Sequence, residues 1–476
     1  INSFFYKIML IYWIRNDFRF IDNEALNYFS NYTGKKMCLY SYDQSKFQDR
    51  SAQRWWLYKS LTKFRNNLEE KNYKFIFLTD IESISIKNLL KKNHINEFVW
   101  NKIYLPNEIS IEKEIIKFLE KNKTSYKVFS SSLLLDPKKT RKKDNTPFQV
   151  FTPFWKNEES LYLKKYNYKK YDIKLIKKNC SKLYKEFQII LPKKNWYKKF
   201  EKYWTVGEDE ANRKIKNFKN KNIFNYDKTR DFPDIDGTSK LSPHLSFGEI
   251  SSREIFDQYQ KIKKKNIGTR KFINEIGWRE FAYHLIYHFP EMLKKNLRKN
   301  FDNFPWSSNK IHLQKWKRGE TGYPLVDAAM RQMYEIGWMH NRLRMVVGSF
   351  LVKHLRINWI EGEKYFKDTL LDYDTANNVS GWQWIAGCGA DAAPYFRIFN
   401  PITQSEKFDP EGEFIKKWVP ELKTLPKKFI HKPWELPQDL AMKINFNLKQ
   451  NYHEPIVNHA EARQAALAAF EYTKKK

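Results

Sequence analysis

Residues 338–345 contain the densest mixture of chemically capable side chains in the sequence, Trp-Met-His-Asn-Arg-Leu-Arg-Met. On a helix, this spacing places Asn341, Arg344 and Met345 on one face, with Arg342 nearby. Amide, guanidinium and apolar groups together suit a cavity for a charged, planar cofactor. The alternative is an ordinary amphipathic helix with solvated arginines, and the segment by itself favours that alternative.

A second cluster occupies residues 372–384, which we predict to be loop-like. It contains paired carboxylates, amides and indoles: Asp372, Asp374, Asn377, Asn378, Trp382 and Trp384. Packing alone does not explain this density. The cluster lacks histidine and cysteine, so we expect no metal site, whereas an amide beside a flavin can hydrogen-bond a ring nitrogen and tune its redox states.

The elements that must position these clusters change along the chain. In the first third, helical patterns at 51–71 and 109–122 alternate with predicted strands at 8–14, 37–42, 73–78, 98–100 and 125–129. This alternation is typical of an α/β fold with a doubly wound, parallel, Rossmann-like sheet. Arg15-Asn16-Asp17 follows the first strand in place of Gly-x-Gly-x-x-Gly, so ordinary dinucleotide binding by this domain is not expected.

Beyond the first third, the apolar spacing becomes helical at residues 246–265, 270–288, 323–355 and 362–371. A polar, charged stretch at 136–145 separates the two patterns. We therefore predict an α/β domain at 1–135, a connector at 136–205 and a larger all-α domain at 206–476.

Composition limits the classes of function. Lys and Arg total 87 against 54 Asp and Glu, a net charge of +33, which attracts polyanions such as nucleic acid. A codon bias that scatters lysines over solvated faces explains the charge equally well. The isolated Cys38, Cys180 and Cys388 predict neither a disulfide framework nor a metal site, and fit a reducing cytoplasm. We predict no signal peptide and no membrane span.

Several motifs together resemble the photolyase and cryptochrome family. They lie at residues 274–281, 321–332, 338–345, 377–384, 391–401 and 404–409, and they cover the predicted helical domain. Within the family, the resemblance is greatest to bacterial class I enzymes that act on cyclobutane pyrimidine dimers. It implies light-driven repair of damaged DNA by a cytoplasmic, monomeric carbon–carbon lyase that donates an electron from excited reduced FAD to a flipped-out dimer. A cryptochrome-type blue-light photoreceptor is the alternative.

The resemblance also implies residue roles. The FAD contacts would be Tyr226, Thr238, Ser239, Leu241, Ser242, Trp338, Asn341, Arg344, Asp372, Asp374 and Asn378. The dimer pocket and DNA contacts would be Glu275, Trp278, Arg279, Asn341, Arg342, Met345, Trp384 and Arg397. Glu275 and Asn378 would take part in catalysis, and Asn378 favours repair over signalling. The photoactivation chain would be Trp382, Trp359 and Trp306.

A second chromophore is implied more weakly. Asn107, Glu108 and Lys294 match contacts to a methenyltetrahydrofolate light harvester in class I enzymes. Two departures count against it, because Gln48 stands where those enzymes often have His, and Leu293 stands where they have Cys.

Overall fold

The computed structural model describes residues 9–92, 95–165, 173, 185–392 and 396–474, and the chain divides into two compact units. Unit 1 combines Ile1–Phe224, Ser239–His288 and Asp372–Ala376, and unit 2 combines Asn225–Thr238, Phe289–Leu371 and Asn377–Lys476. These divisions differ from the three predicted domains, whose boundaries remain a prediction. Cys180 and residues 393–395 of the family motif lie outside the described residues.

Unit 1 is built on a parallel sheet. Its strands are β1 (Met9–Trp13), β2 (Lys35–Tyr42), β3 (Lys74–Thr79), β4 (Glu97–Asn101) and β5 (Ser125–Phe129). They lie in the order β3-β2-β1-β4-β5, and every neighbouring pair is parallel. The prediction of a doubly wound parallel sheet is therefore confirmed, with strand ends that differ from the predicted ones by at most two residues.

The central strand β1 explains why the sheet forms here. Its residues Met-Leu-Ile-Tyr-Trp are nearly all buried, as expected for a parallel strand that is covered on both faces. Ile11 and Trp13 pack with Leu39, Phe98 and Trp100 in one core cluster. Because β1 ends at Trp13, Arg15 emerges at the carboxyl edge of the sheet.

Helices make up most of the remaining described structure. In chain order they are α1 (Glu24–Asn31), α2 (Ser51–Glu70), α3 (Glu82–Lys92), α4 (Pro106–Lys121), α5 (Phe151–Lys165), α6 (Glu208–Lys221), α7 (Tyr226–Thr229), α8 (Ser242–Ser246), α9 (Ser252–Gln260), α10 (Ile267–His288), α11 (Lys310–Arg318), α12 (Pro324–Ile336), α13 (Asn341–Ser349), α14 (Trp359–Thr369), α15 (Thr375–Ala386), α16 (Pro401–Phe408), α17 (Glu413–Trp418), α18 (Lys427–Ile430), α19 (Gln438–Lys443), α20 (Leu448–Asn451) and α21 (His459–Lys474).

The helical pattern predicted over 323–355 is interrupted twice. Helix α12 ends at Gly337, whose φ of 69° is left-handed and therefore favours glycine. Helix α13 begins after His340, and a π-helical turn, Phe350–His354, follows it. Trp338 thus precedes the helix on which the sequence had placed it.

The predicted loop at 372–384 was wrong, because Thr375–Ala386 forms helix α15. Its buried residues Ala376, Val379, Trp382 and Ala386 recur at helical spacing and make one apolar face. The polar residues between them concealed that pattern. Within the described residues, no helix has both the length and the hydropathy that a membrane crossing requires.

Candidate flavin and DNA site

In unit 2, helix α13 begins with a histidine cap that orients the two predicted arginines. The His340 Nδ1 atom accepts a hydrogen bond from the Arg342 backbone N–H at 3.2 Å. Burial, together with the charges of Arg342, Arg344 and Arg230, lowers the pKa of His340 to about 4, although Asp231 opposes this. His340 is therefore neutral near pH 7 and can accept the hydrogen bond. Arg344 Nε donates to the carbonyl of Met339 at 2.9 Å.

Arg342, predicted to hold a substrate phosphate, has a carboxylate partner in unit 2. Its Nη2 atom lies 3.0 Å from Asp231 Oδ1, and its guanidinium carbon lies 4.4 Å from the centre of the Phe408 ring. This contact joins the start of α13 to the segment after α7 and to the end of α16. On the same helix α13, Asn341 is exposed and Met345 is half-buried.

The segment from α7 to Thr238 is a tight turn in unit 2. A Cβ atom at Gly237 would lie 2.7 Å from the Thr229 side chain, so glycine permits this close approach. The turn returns the chain towards α7, where Tyr226 is buried. Tyr226 and Thr238 are thereby placed in one local structure, as a pair of phosphate-binding hydroxyls would require.

Asn378 in unit 2 is held by helix α14. Its Nδ2 atom donates to Glu363 Oε1 at 3.2 Å, and lies 3.4 Å from the Glu363 carbonyl. Donation through Nδ2 fixes the side-chain amide and leaves its Oδ1 atom as the acceptor on the opposite side. The structure therefore orients the amide that the sequence selected, and it does so through a residue that the sequence did not select.

The three tryptophans of the predicted electron chain all lie in unit 2. Gly362 on α14 packs against the Trp382 ring, and Trp359, also on α14, donates to Asn296 at 2.9 Å. The backbone N–H of Ser307, next to Trp306, donates to the Arg356 carbonyl at 2.7 Å, just before α14. Trp359 and Trp382 are buried and Trp306 is half-buried, so only Trp306 of the three has appreciable access to solvent.

Trp384 and Arg397 line one cavity in unit 2, together with Arg298, Lys353 and Phe396. Trp384 is half-buried and its Nε1 atom donates to the Asp391 carbonyl at 3.0 Å. Arg397 is exposed. The structure thus brings together the indole and the guanidinium that were predicted to contact the lesion and the DNA backbone.

In unit 1, the aspartates before α15 are held through the residue between them. The Tyr373 carbonyl accepts hydrogen bonds from Gln53 Nε2 at 2.6 Å and from Ser246 Oγ at 2.7 Å. Asp374 Oδ2 accepts a 2.6 Å hydrogen bond from the Tyr283 hydroxyl. Burial, followed by the charge of Asp374, raises the pKa of Tyr283 well above its usual value, so the tyrosine remains a donor.

The other predicted FAD contacts of unit 1 lie around the short helix α8. Leu241 is its N-cap residue, Ser242 is its first residue, and Ser239 precedes them. Leu241 is buried and the two serines are half-buried. Asp372 is buried in the same unit.

Helix α10 of unit 1 presents the residues predicted to hold a flipped dimer. Glu275 is half-buried one turn before Trp278, whose side chain is 37% exposed. The Trp278 ring stacks on Phe151, with centroids 3.8 Å apart and an interplanar angle of 8°. One face of the indole is therefore covered. Arg279, predicted to contact DNA, instead donates to Ser252 Oγ and Glu280 Oε1, each at 3.0 Å.

The predicted folate contacts fit less well. Glu108 Oε1 accepts from Lys46 and Oε2 from Arg15, each at 2.8 Å. Burial raises the pKa of Glu108, but the charges of Lys46 and Arg15 outweigh it and lower the pKa to about 2. A folate at Glu108 would have to share this carboxylate with both cations. Asn107 is exposed in unit 1, and Lys294 is exposed in unit 2.

Four partners that the sequence did not indicate complete these sites: Phe151, Asp231, Tyr283 and Glu363. Three of them lie more than 90 residues from the residue that they hold, Glu363 lies 15 residues from Asn378, and each is of a type that is common on protein surfaces or in cores. No local pattern could have identified them.

Within each unit, the side-chain chemistry fits a group such as FAD. In unit 2, the hydroxyls of Tyr226 and Thr238 suit a phosphate and the fixed amide of Asn378 suits a ring nitrogen. In unit 1, the hydroxyls of Ser239 and Ser242 suit a phosphate or a ribityl chain. Among the described residues, the Trp382 Nε1 and His340 Nε2 atoms are buried without a hydrogen-bond partner. Both are polar groups of the kind that a bound cofactor can satisfy.

Comparison with known proteins agrees with this chemistry. Residues 10–170 match the sequence model of the family DNA photolyase, and residues 272–472 match the FAD binding domain of DNA photolyase. A deoxyribodipyrimidine photo-lyase of Agrobacterium fabrum is 39% identical, with 98% of each chain covered.

Solved structures give the same result. A bacterial class III photolyase from Agrobacterium tumefaciens is 38% identical, with a TM-score of 0.92 and all of both chains covered. A cryptochrome from Synechocystis is 27% identical, with a TM-score of 0.85, covering 97% of this chain and 99% of that one. Because the Agrobacterium structure is a class III enzyme, it does not support the class I placement. The chain belongs to the DNA photolyase and cryptochrome family, and it carries that family's FAD-binding domain.

Proposed function

We propose that this protein is a deoxyribodipyrimidine photolyase, which uses light to split cyclobutane pyrimidine dimers in DNA. The observation that carries the proposal is the stacking of Phe151, at the start of α5, on Trp278 of helix α10. Phe151 covers one face of Trp278, and the indole remains 37% exposed. An exposed, rigidly backed aromatic face is a stacking platform for an unstacked base. A dimer costs less to extrude from the duplex than intact bases do.

Other side chains of the predicted set would recognise the extruded dimer. Glu275 lies one helical turn before Trp278 on α10, so both project from the same side of that helix. Its carboxylate can accept hydrogen bonds from pyrimidine N–H groups, while the stacked indole contacts the ring face. Trp384 and Arg397 offer a second indole and a cation for the DNA backbone.

FAD, when bound, supplies a light-excitable donor whose electron returns after the cyclobutane ring has opened. Asn378 would accept a hydrogen bond from the flavin through Oδ1, because Glu363 already holds its Nδ2 atom. Trp306, Trp359 and Trp382 provide a route for electrons between the surface and the interior of unit 2. The carboxylates of Asp372 and Asp374 would face polar groups of the flavin.

A blue-light photoreceptor is the second candidate, because the Synechocystis cryptochrome has a similar fold. The two functions need the same flavin, so the fold does not separate them. The amide at position 378 and the exposed indole of Trp278 both favour repair, since a photoreceptor needs no platform for a base.

Repair of an oligonucleotide with one thymine dimer tests the proposal. Reduced, flavin-loaded protein should restore two thymines in blue light and leave the dimer intact in darkness, as followed by chromatography. Glu275→Gln removes the carboxylate and should lower affinity for the dimer-containing strand about tenfold, the loss typical of one charge-assisted hydrogen bond. Glu471→Gln, on the exposed part of α21, is the matched control and should repair normally.

Two results would contradict the proposal. If the reduced protein binds the oligonucleotide but does not repair it in light, the photoreceptor becomes the better candidate. If Glu275→Gln binds and repairs like Glu471→Gln, helix α10 does not hold the dimer.

A further inference from the structure

Asp231 in unit 2 lies between two arginines. Its Oδ1 atom is 3.0 Å from Arg342 Nη2 and 3.9 Å from Arg230 Nε. Arg344 belongs to the same electrostatic neighbourhood, because it acts with the other two on the buried His340. The charges of all three arginines therefore act on His340, which adds no charge of its own near pH 7.

The guanidinium of Arg342 is positioned independently of Asp231. The Phe408 ring lies 4.4 Å from its central carbon, a distance at which the ring attracts a cation. Its Nε atom is buried and has no hydrogen-bond partner among the described residues. One face of the guanidinium is therefore covered by the ring, and the Nη2 atom at its edge contacts Asp231.

The ion pair with Asp231 can be exchanged for another. The Arg342 side chain is 18% exposed and that of Asp231 is 33% exposed, so water reaches both partners. Partly exposed pairs of this kind contribute little net stability, because the solvent screens them. The two non-bridging oxygens of a phosphodiester can accept paired N–H donors from arginine, as the two oxygens of a carboxylate do.

We propose that Asp231 is an internal competitor for DNA phosphate at Arg342. In the DNA-free protein the carboxylate occupies the edge of the guanidinium, and a backbone phosphate must displace it. The inference rests on the proposed function, because it assumes that Arg342 contacts DNA. Asp231 would weaken the binding of every DNA by the same factor. Dimer-containing DNA would still bind because of its additional contacts with the pocket, whereas undamaged DNA, which lacks those contacts, would dissociate sooner.

The competition has a clear consequence for a protein with a net charge of +33. Such a protein binds any duplex through its phosphates, and undamaged sites greatly outnumber lesions. A carboxylate that opposes backbone contact shortens each unproductive encounter. It leaves the aromatic and hydrogen-bonding contacts to the dimer unchanged.

The test measures DNA affinity in darkness, with two otherwise identical duplexes of which one contains a thymine dimer. Asp231→Asn should tighten the binding of both duplexes about threefold to tenfold. The reason is that Arg342 no longer pairs with a carboxylate, and no carboxylate repels the DNA phosphate. Asp234→Asn removes the same charge from an exposed position three residues later and should tighten binding clearly less. Arg342→Gln should weaken binding, and Asp231→Asn should have little effect when added to Arg342→Gln.

The double variant decides between a specific and a general charge effect. If Asp231→Asn tightens binding equally with and without Arg342, or no more than Asp234→Asn does, the proposal is overturned. Asp231→Ser gives the same comparison if the amide variant does not fold, and retained flavin absorbance reports folding. A wild-type protein that binds neither duplex would overturn the proposed function as well, whereas normal binding without tightening overturns only the role of Asp231.

Discussion

Phe151 is the residue that gives Trp278 its orientation. The two rings are parallel within 8° and 3.8 Å apart, and Phe151 itself is 8% exposed, so it is fixed by the core of unit 1. An indole backed in this way loses little conformational freedom when a base stacks on its other face. If the dimer stacks on Trp278 as proposed, Phe151 would position the lesion through the indole without contacting it.

Phe151→Leu should reduce the preference for dimer-containing over undamaged DNA about fivefold. The reason is that leucine fills the space but removes the aromatic backing, which contributes roughly 0.5–1.5 kcal/mol in stacked pairs. The ratio of the dissociation constants for undamaged and dimer-containing DNA measures this preference. Phe148→Leu is the matched control, because Phe148 packs on Phe154 and His284 rather than on Trp278. An unchanged ratio with Phe151→Leu would contradict the role.

At the scale of single residues, the sequence identified the groups with unusual chemistry but not the groups that hold them. Asn378 and Arg342 stood out because they lie in the motifs at 377–384 and 338–345 that resemble the photolyase and cryptochrome family. Glu363 and Asp231 are ordinary surface types, and only the fold brings them to their partners. Long-range contacts of this kind leave no periodic trace in the sequence.

At the scale of elements, helix α15 shows where sequence patterns mislead. Its polar density suggested a loop, yet Ala376, Val379, Trp382 and Ala386 form a buried stripe. The five strands of unit 1 were predicted to within two residues. The central strands β1 and β4 are nearly all buried, and a strand that is covered on both faces reads as an apolar run. A helix that is buried on one face and lined with functional groups on another has no such simple pattern.

The end of α15 is held by a buried lysine. Lys353, in the π-helical turn after α13, donates from Nζ to the Ala386 carbonyl at 2.6 Å, which satisfies one carbonyl at the end of the helix. Burial lowers the pKa of Lys353 well below its usual value. The folded state therefore binds the Lys353 proton less readily than the unfolded state does. Folding stability rises with pH between the lowered pKa of Lys353 and the usual pKa of lysine.

Lys353→Met should remove that pH dependence. Because the wild-type protein loses stability as the pH falls and the variant does not, the Tm of the variant relative to wild type should increase from pH 9 to pH 6. Thermal unfolding of both proteins across this range measures the difference. Lys364→Met is the control, since Lys364 is an exposed lysine on α14, and its relative Tm should stay constant. A constant difference for Lys353→Met would contradict the burial argument.

At the scale of the whole molecule, the sequence predicted the change from an α/β pattern to a helical one but not the two compact units. Unit 1 includes helix α10 and the short Asp372–Ala376 segment, which belong to the helical pattern in sequence. Helix α10 packs on α5, and Gly277 permits the contact because a Cβ atom there would lie 2.6 Å from the Trp155 ring. Packing between segments that are distant in the sequence determines how the chain divides into two units, and the periodicity of apolar residues does not predict such packing.

The net charge of +33 has two explanations, a surface that binds DNA and a codon bias that scatters lysines. Salt dependence separates them. If the charge contacts DNA, the logarithm of the affinity for an undamaged duplex should fall linearly with the logarithm of the salt concentration, by about 0.9 for each phosphate neutralised. The affinity for the dimer-containing duplex should be higher and should decrease with a similar slope, because stacking and hydrogen bonds to the lesion release no counterions. Titration of both duplexes in darkness measures the two slopes. A slope near zero for the undamaged duplex would mean that the lysines serve solubility alone.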